Sequence, residues 1–218
     1  MRANANLNGQ DFHNFLLTPS SIQFSELGNP IMRPVYEVPE SIETIGFNYV
    51  TSRTKEYDKW VHFYIQDFLF NRVWNNPAKY LEMLKPYAGV IAPDFSLFRD
   101  VPYPLQIFNH YRRQWCAAYW QANGITVIPN IRWSDEKSYE FCFDGVPKHS
   151  VVAVSAIGSM KEPIARDLFF RGYQKALEVL EPKLVLLRCA EAYREEICAM
   201  TGPVQLLHYD QFSGYQKI

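Results

Sequence analysis

Short apolar runs begin at residues 61, 90, 125, 151, 183 and 204, and an amphipathic stretch separates each from the next. Successive starts lie 21 to 35 residues apart, the length of a strand followed by a helical crossover to a parallel neighbour. The runs do not alternate: Val151, Val152, Ala153 and Val154 are consecutive, as are Leu184 to Leu187. Continuous apolar strands are the mark of a parallel sheet covered on both faces. A weaker run at 45–50 supplies a further first strand. The rhythm therefore predicts an α/β fold of parallel βα repeats with about six or seven strands. No glycine-rich phosphate loop marks the switch point of an open doubly wound sheet, so an incomplete TIM-barrel-like arrangement is favoured over it.

The intervening segments carry helix signals. Asn76 and Pro77 supply a cap and a first-turn proline, and Tyr80, Leu81, Leu84 and Tyr87 follow at helical spacing. Asp100, Pro102 and Pro104 predict the opening of a long helix. Its inward face is expected to hold Leu105, Phe108, Tyr111, Trp115, Ala118 and Ala122, leaving Arg112 and Arg113 toward solvent. Ser134 predicts the cap of a short helix reaching Phe143. Ala165 to Leu180 is the most regular helical pattern, closed by Pro182, and a last helix runs over 191–200. The first 44 residues hold four prolines and no periodic pattern. They read as an irregular arm (1–44) before a single βα-repeat domain (45–218).

Composition bounds the class of partner. With 218 residues, 48% hydrophobic and 21% charged, the chain can bury a real core, and global disorder is excluded. Lys and Arg number 22 against 23 Asp and Glu, which argues against a basic nucleic-acid-coating protein while allowing a local basic groove. No charged start precedes a long apolar run, and no run approaches the ~20 residues of a membrane span. The expectation is a cytoplasmic chain without membrane association. Four cysteines (116, 142, 189, 198) and five histidines are scattered, with no C-x-x-C pair. Neither a zinc site nor a disulfide framework is predicted, and no motif names a cofactor.

In parallel α/β folds ligands collect at the carboxyl ends of the strands. Polar residues at those ends are thus the site candidates. Asp67 and Asp94 follow neighbouring strands and form a candidate catalytic pair, since two carboxylates at one rim can divide acid and base roles or hold a divalent ion. The plainer alternative makes each a helix cap. Ser96, Asn130, Arg132, Trp133 and Ser155 are the candidate ligand-binding residues. Arginine offers a planar fork to phosphate and tryptophan a stacking surface. Arg112 and Arg113, interleaved with Tyr111 and Trp115, are candidates for contact with nucleic acid.

The runs at 61–68, 89–102, 106–112, 124–133, 143–147 and 151–155 together resemble a family catalogued as a domain of unknown function, number four-four-one-seven. The resemblance covers about residues 45–190 and includes Pro93-Asp94-Phe95-Ser96 and Pro129-Asn130-Ile131-Arg132-Trp133. It implies cargo of bacteriophages or other mobile elements in a bacterial cytoplasm, and brings no reaction. The sixth strand departs from it, ending in Arg188-Cys189 where similar proteins run into Tyr-Gly, so no role is assigned to that loop. The leading expectation is a rim site for a nucleotide or other phosphorylated small molecule, hydrolytic or metal-assisted. The alternative is a non-enzymatic nucleic-acid or protein adaptor in phage or plasmid replication or host interference.

Overall fold

The computed structural model describes residues 13–210 and 214–217. Four strands pair in parallel, in the order β2 (Thr44–Gly46), β3 (Trp60–His62), β4 (Gly89–Ile91), β5 (Val127–Ile128). A second sheet holds β6 (Val151–Ser155), β7 (Leu184–Arg188) and β8 (Gln205–Asp210), also parallel. Antiparallel β9 (Gly214–Lys217) and β1 (Ser41–Ile42) extend it, giving the order β1-β9-β8-β7-β6. Seven described strands are thus parallel, in two sheets rather than one closed barrel. Among the described residues the sheets meet at one bridged pair, Asn130 and Ala153. There the Ala153 amide donates to the Pro129 carbonyl at 2.7 Å, and the Ile131 amide donates to the Ala153 carbonyl at 2.8 Å.

Two expected strands are shorter than their apolar runs. The run starting at 61 pairs only through His62, and the run at 125–131 pairs as β5 only at 127–128. Pro129 has no amide to continue a ladder, so regular pairing stops before it.

Helices α2 (Asp67–Phe70), α3 (Arg72–Asn75) and α4 (Pro77–Leu84) connect β3 to β4, and α5 (Tyr103–Ala122) connects β4 to β5. The helix α6 (Pro163–Leu180) leads from β6 to β7, and α7 (Arg194–Thr201) from β7 to β8. The arm carries α1 (His13–Leu16) and β1; residues 1–12 lie outside the described residues. Asn76 caps α4 as expected, its side chain accepting from the Lys79 amide at 3.4 Å. Two other caps differ from expectation. Helix α5 starts after Pro102 with no side-chain cap, so Asp100 does not serve there. Asp135, not Ser134, caps the short 3-10 turn over Glu136–Glu140 by accepting from the Ser138 amide.

Burial explains the non-alternating runs. Ile42, Trp60, Ile91, Ile128, Val151, Ala153, Leu184, Leu186 and Leu207 form one cluster drawn from strands of both sheets. The intervening residues Val61, Val90, Val127, Val152, Val154, Val185 and Leu187 belong to a larger cluster with helix residues such as Trp74, Trp120 and Tyr173. Both faces of β3 to β7 are therefore covered, which demands apolar residues at odd and even positions alike.

Helix α5 departs from its expected orientation. Leu105 is exposed, whereas Gln106, His110, Arg113, Gln114 and Gln121 are buried. Gln114 and Gln121 reach the loop after Phe143 and the arm: Gln114 donates to the Asp144 carbonyl at 2.7 Å, and Gln121 donates to the Arg33 carbonyl at 2.9 Å. Hydrogen bonding on the far side of the helix, not apolar character alone, decides which face is covered.

Candidate functional site

The chain leaves β3 at His62 and crosses the carboxyl ends of its neighbours before α2 begins. Tyr64 makes that crossing. Its hydroxyl donates to Asn130 Oδ1 at 3.1 Å, and its carbonyl accepts from Arg188 Nη1 at 3.2 Å. The Arg188 guanidinium also lies 5.0 Å from the Tyr64 ring centroid. Because Asn130 follows β5 and Arg188 ends β7, one residue, through its hydroxyl and its backbone carbonyl, ties three strand ends together. The His62 ring stacks on Tyr64 from below at 5.7 Å. Burial, and then the Arg188 charge, push His62 down to about 3, so it is neutral near pH 7.

Asp67 opens α2, yet its carboxylate reaches the next strand end. Oδ2 accepts from the Ser96 amide at 3.0 Å and Oδ1 from the Ser96 hydroxyl at 2.8 Å. Asn109 of α5 donates to the Ser96 carbonyl at 2.7 Å, completing the hold on that loop. Asp94 accepts from Asn130 Nδ2 at 2.9 Å and pairs with Arg132 Nη1 at 3.3 Å. The Asp94 and Arg132 side chains are 12% and 19% exposed, so this pair is only partly desolvated. The remaining N–H groups of Arg132 have no partner among the described residues.

A cavity of about 740 Å³ opens over these groups, lined by Asp67, Asp94, Ser96, Arg132, Ser155 and Arg188. Phe68 and Phe98, both exposed, stand at its mouth with Ile157. Five of the seven site residues expected from strand ends line this one hollow. Of the other two, Asn130 is fully buried and acts from behind Asp94. Trp133 is also buried, donates through Nε1 to the Leu168 carbonyl at 3.1 Å, and borders a neighbouring smaller cavity. Neither Asp67 nor Asp94 makes a helix-capping bond; each joins two strand ends. Tyr64, His62 and Arg188 were not among the expected site residues. His62 and Tyr64 stand two apart, the spacing of one strand face, which was the available signal. Arg188 satisfies the strand-end rule, although its loop departs from the family pattern.

Arg113 corrects an expectation. It is fully buried, 0% exposed, beneath the site rather than on the surface, so it cannot meet a nucleic acid there. Burial pulls its guanidinium down to about 10. Its Nη2 lies 2.7 Å from His110 Nδ1, while His110 Nε2 lies 2.9 Å from the Asp144 carbonyl. His110 is pushed far below its usual value by burial and by Arg113, so it is neutral, with its proton on Nε2 and Nδ1 accepting. Arg112 is half-buried, bonded to Asn71 at 2.6 Å and lying 4.1 Å over the Phe95 ring. Burial pushes the Cys142 and Cys189 thiols up to about 12, which keeps them protonated and poor nucleophiles. Among the described residues no three His, Cys, Asp or Glu side chains gather as a metal-binding group.

The DUF4417 family profile, described as a domain of unknown function, matches residues 23–210. The chain belongs to that family. The DUF4417 span takes in β1 through β8 and every residue of the site. Over 161 residues the chain is 35% identical to the Gene 1 protein of Mycobacterium phage D29, covering 72% of this chain and 58% of that protein. Over 126 residues it is 37% identical to the Gene 1 protein of Mycobacterium phage L5, covering 58% of this chain and 55% of that protein. The chain spans a little over half the length of these curated relatives. No solved structure matches it. Among the described residues no helix is long and apolar enough to cross a membrane.

Proposed function

We propose that the cavity at the carboxyl ends of β3 to β7 binds a small phosphorylated molecule of the nucleotide class, and that Asp67 and Asp94 serve its hydrolysis. The observation that carries this reading is the convergence of two carboxylates, two guanidinium groups and two serine side chains on one hollow of about 740 Å³. That volume falls within the ~300–1,000 Å³ usual for small-ligand sites. Arg132 spends one long hydrogen bond on Asp94 and keeps the rest of its planar fork for an anion. Ser155 and Ser96 add hydroxyls. Each carboxylate oxygen of Asp67 and Asp94 accepts one protein hydrogen bond and retains a second lone-pair direction for a water or a substrate proton.

The site sits in what we take to be an incomplete TIM-barrel-like domain behind an N-terminal arm. The reading is supported by the apolar cluster that strands of both sheets share. Its setting in this reading is a bacterial cytoplasm during phage growth, in keeping with the mycobacteriophage relatives.

Thermal-shift titration of the whole chain with nucleoside phosphates and with inorganic phosphate is the direct test. Stabilisation should grow with ligand concentration and vanish in Arg132→Ala, but persist in the exposed control Arg53→Ala. Asp67→Asn and Asp94→Asn should still bind while releasing phosphate at least ~100-fold more slowly. No shift with any of these compounds at millimolar concentration rejects the reading.

A further inference from the structure

The smaller cavity beside the site, about 260 Å³, shares Phe98, Arg132 and Ser155 with the larger one. Its volume is below the ~300 Å³ at which a small-molecule site usually stands alone, so it is better suited to one part of a ligand than to a whole one. Its chemistry is also different. The floor is formed by Trp133 and Phe169, whose rings lie 5.5 Å apart, with Ile131 and Val154. Trp133 commits its only N–H to the Leu168 carbonyl, so carbon surface is what it offers the cavity. Phe98, 55% exposed, stands as the wall common to both hollows.

This second compartment also has polar lining: Arg99, which pairs with Glu162 at 3.8 Å, buried Ser134, Asp100 and Ser159. Asp100 is exposed, caps no helix and forms no ion pair among the described residues. Its carboxylate is an unassigned acceptor at the edge of an apolar slot, matched by the amino edge of a base. The Ser159 hydroxyl is at the same lining. A largely aromatic slot with an acceptor in its lining, and Arg132 shared with the larger cavity, suits a flat heteroaromatic ring attached to a phosphate.

We infer that the two cavities are halves of one site for a purine nucleoside monophosphate, the base in the smaller hollow and the phosphate against Arg132. The inference rests on the anion-binding reading of the larger cavity and adds the identity of the ligand's other half. Phe98 is then the residue that measures the ligand, since it borders both compartments.

Calorimetric titration of the whole chain with inorganic phosphate, adenosine and adenosine 5′-monophosphate separates the two claims. The monophosphate should bind about tenfold or more tighter than either fragment, the effect expected of a base on an aromatic surface. Ala165→Phe, which fills the smaller cavity from α6, should reduce monophosphate affinity to that of phosphate while leaving phosphate binding unchanged. Phe98→Ala, a change at an exposed position that spares the core, should narrow the same preference and stands in if Ala165→Phe does not fold. Equal binding of phosphate and monophosphate, unmoved by either variant, overturns the bipartite site and leaves the anion site standing. Binding of none of the three overturns both.

Discussion

Asp94 receives Asn130 and Arg132 at once, and the two donors belong to the strand end beyond it. Asp94→Ala leaves both without their acceptor. The loss should lie at about 1–3 kcal/mol, above an exposed ion pair and below a fully buried one, read from urea midpoints. Asp94→Asn can still accept from Asn130 and should cost less, so the difference between the two variants isolates the amide contact. Tyr64→Phe removes one hydroxyl bond to Asn130 and should cost about 0.5–1.5 kcal/mol. His62 sets a pH dependence. Its value is about 3 in the folded chain against 6.5 ordinarily, so below pH 6.5 the unfolded chain binds the proton first. Stability from this group is complete above pH 6.5 and falls as pH drops toward 3, by about 2 kcal/mol at pH 5. His110 is shifted in the same direction and adds to the loss. Denaturation curves at pH 7 and pH 5 should therefore draw closer together in His62→Gln than in the parent.

At the level of elements, α6 approaches the end of β5 through a missing side chain. A Cβ on Gly172 would stand 2.1 Å from Trp133 Nε1, and that ring is buried and bonded to Leu168. Alanine inside a helix ordinarily stabilises by up to ~1 kcal/mol. Here the clash should dominate, so Gly172→Ala is expected to lower stability by about 1–3 kcal/mol and to displace Trp133, visible as a shift in its fluorescence. Helix α5 shows where periodicity misleads. Its spacing of Phe108, Tyr111 and Trp115 is genuine, and Trp115 is buried. Yet Arg113 and His110 are buried too: Arg113 Nη2 meets His110 Nδ1 and His110 Nε2 meets the Asp144 carbonyl, while Arg113 Nε and Nη1 have no hydrogen-bond partner among the described residues. Hydropathy counts apolar residues and is blind to a polar pair that meets its partner inside.

For the molecule as a whole, the two sheets share one apolar cluster and meet at the Asn130–Ala153 bridge. They should therefore unfold together. All five tryptophans are buried and distributed over strands of the first sheet, its helices and the loop after β5. Tryptophan fluorescence and far-UV circular dichroism are expected to give coincident urea midpoints; separated midpoints would show two independent units.

The seven parallel strands were legible because each βα unit is local: an apolar run, a cap and a spacing of 21 to 35 residues all lie within one stretch of chain. The strand-end rule likewise reached Asp67, Asp94, Ser96, Arg132 and Ser155, since parallel pairing delivers successive loops to one side of a sheet. What no stretch of sequence contains is a contact between distant strand ends. Tyr64 touching both Asn130 and Arg188 spans 66 and 124 residues, and the pairing of β1 with β9, Ser41 opposite Gln216, is likewise non-local. Local periodicity sets which segments are strands and helices; only the packed chain, by bringing remote polar groups within about 3 Å of one another, sets which of them share a cavity and which are sealed beneath it.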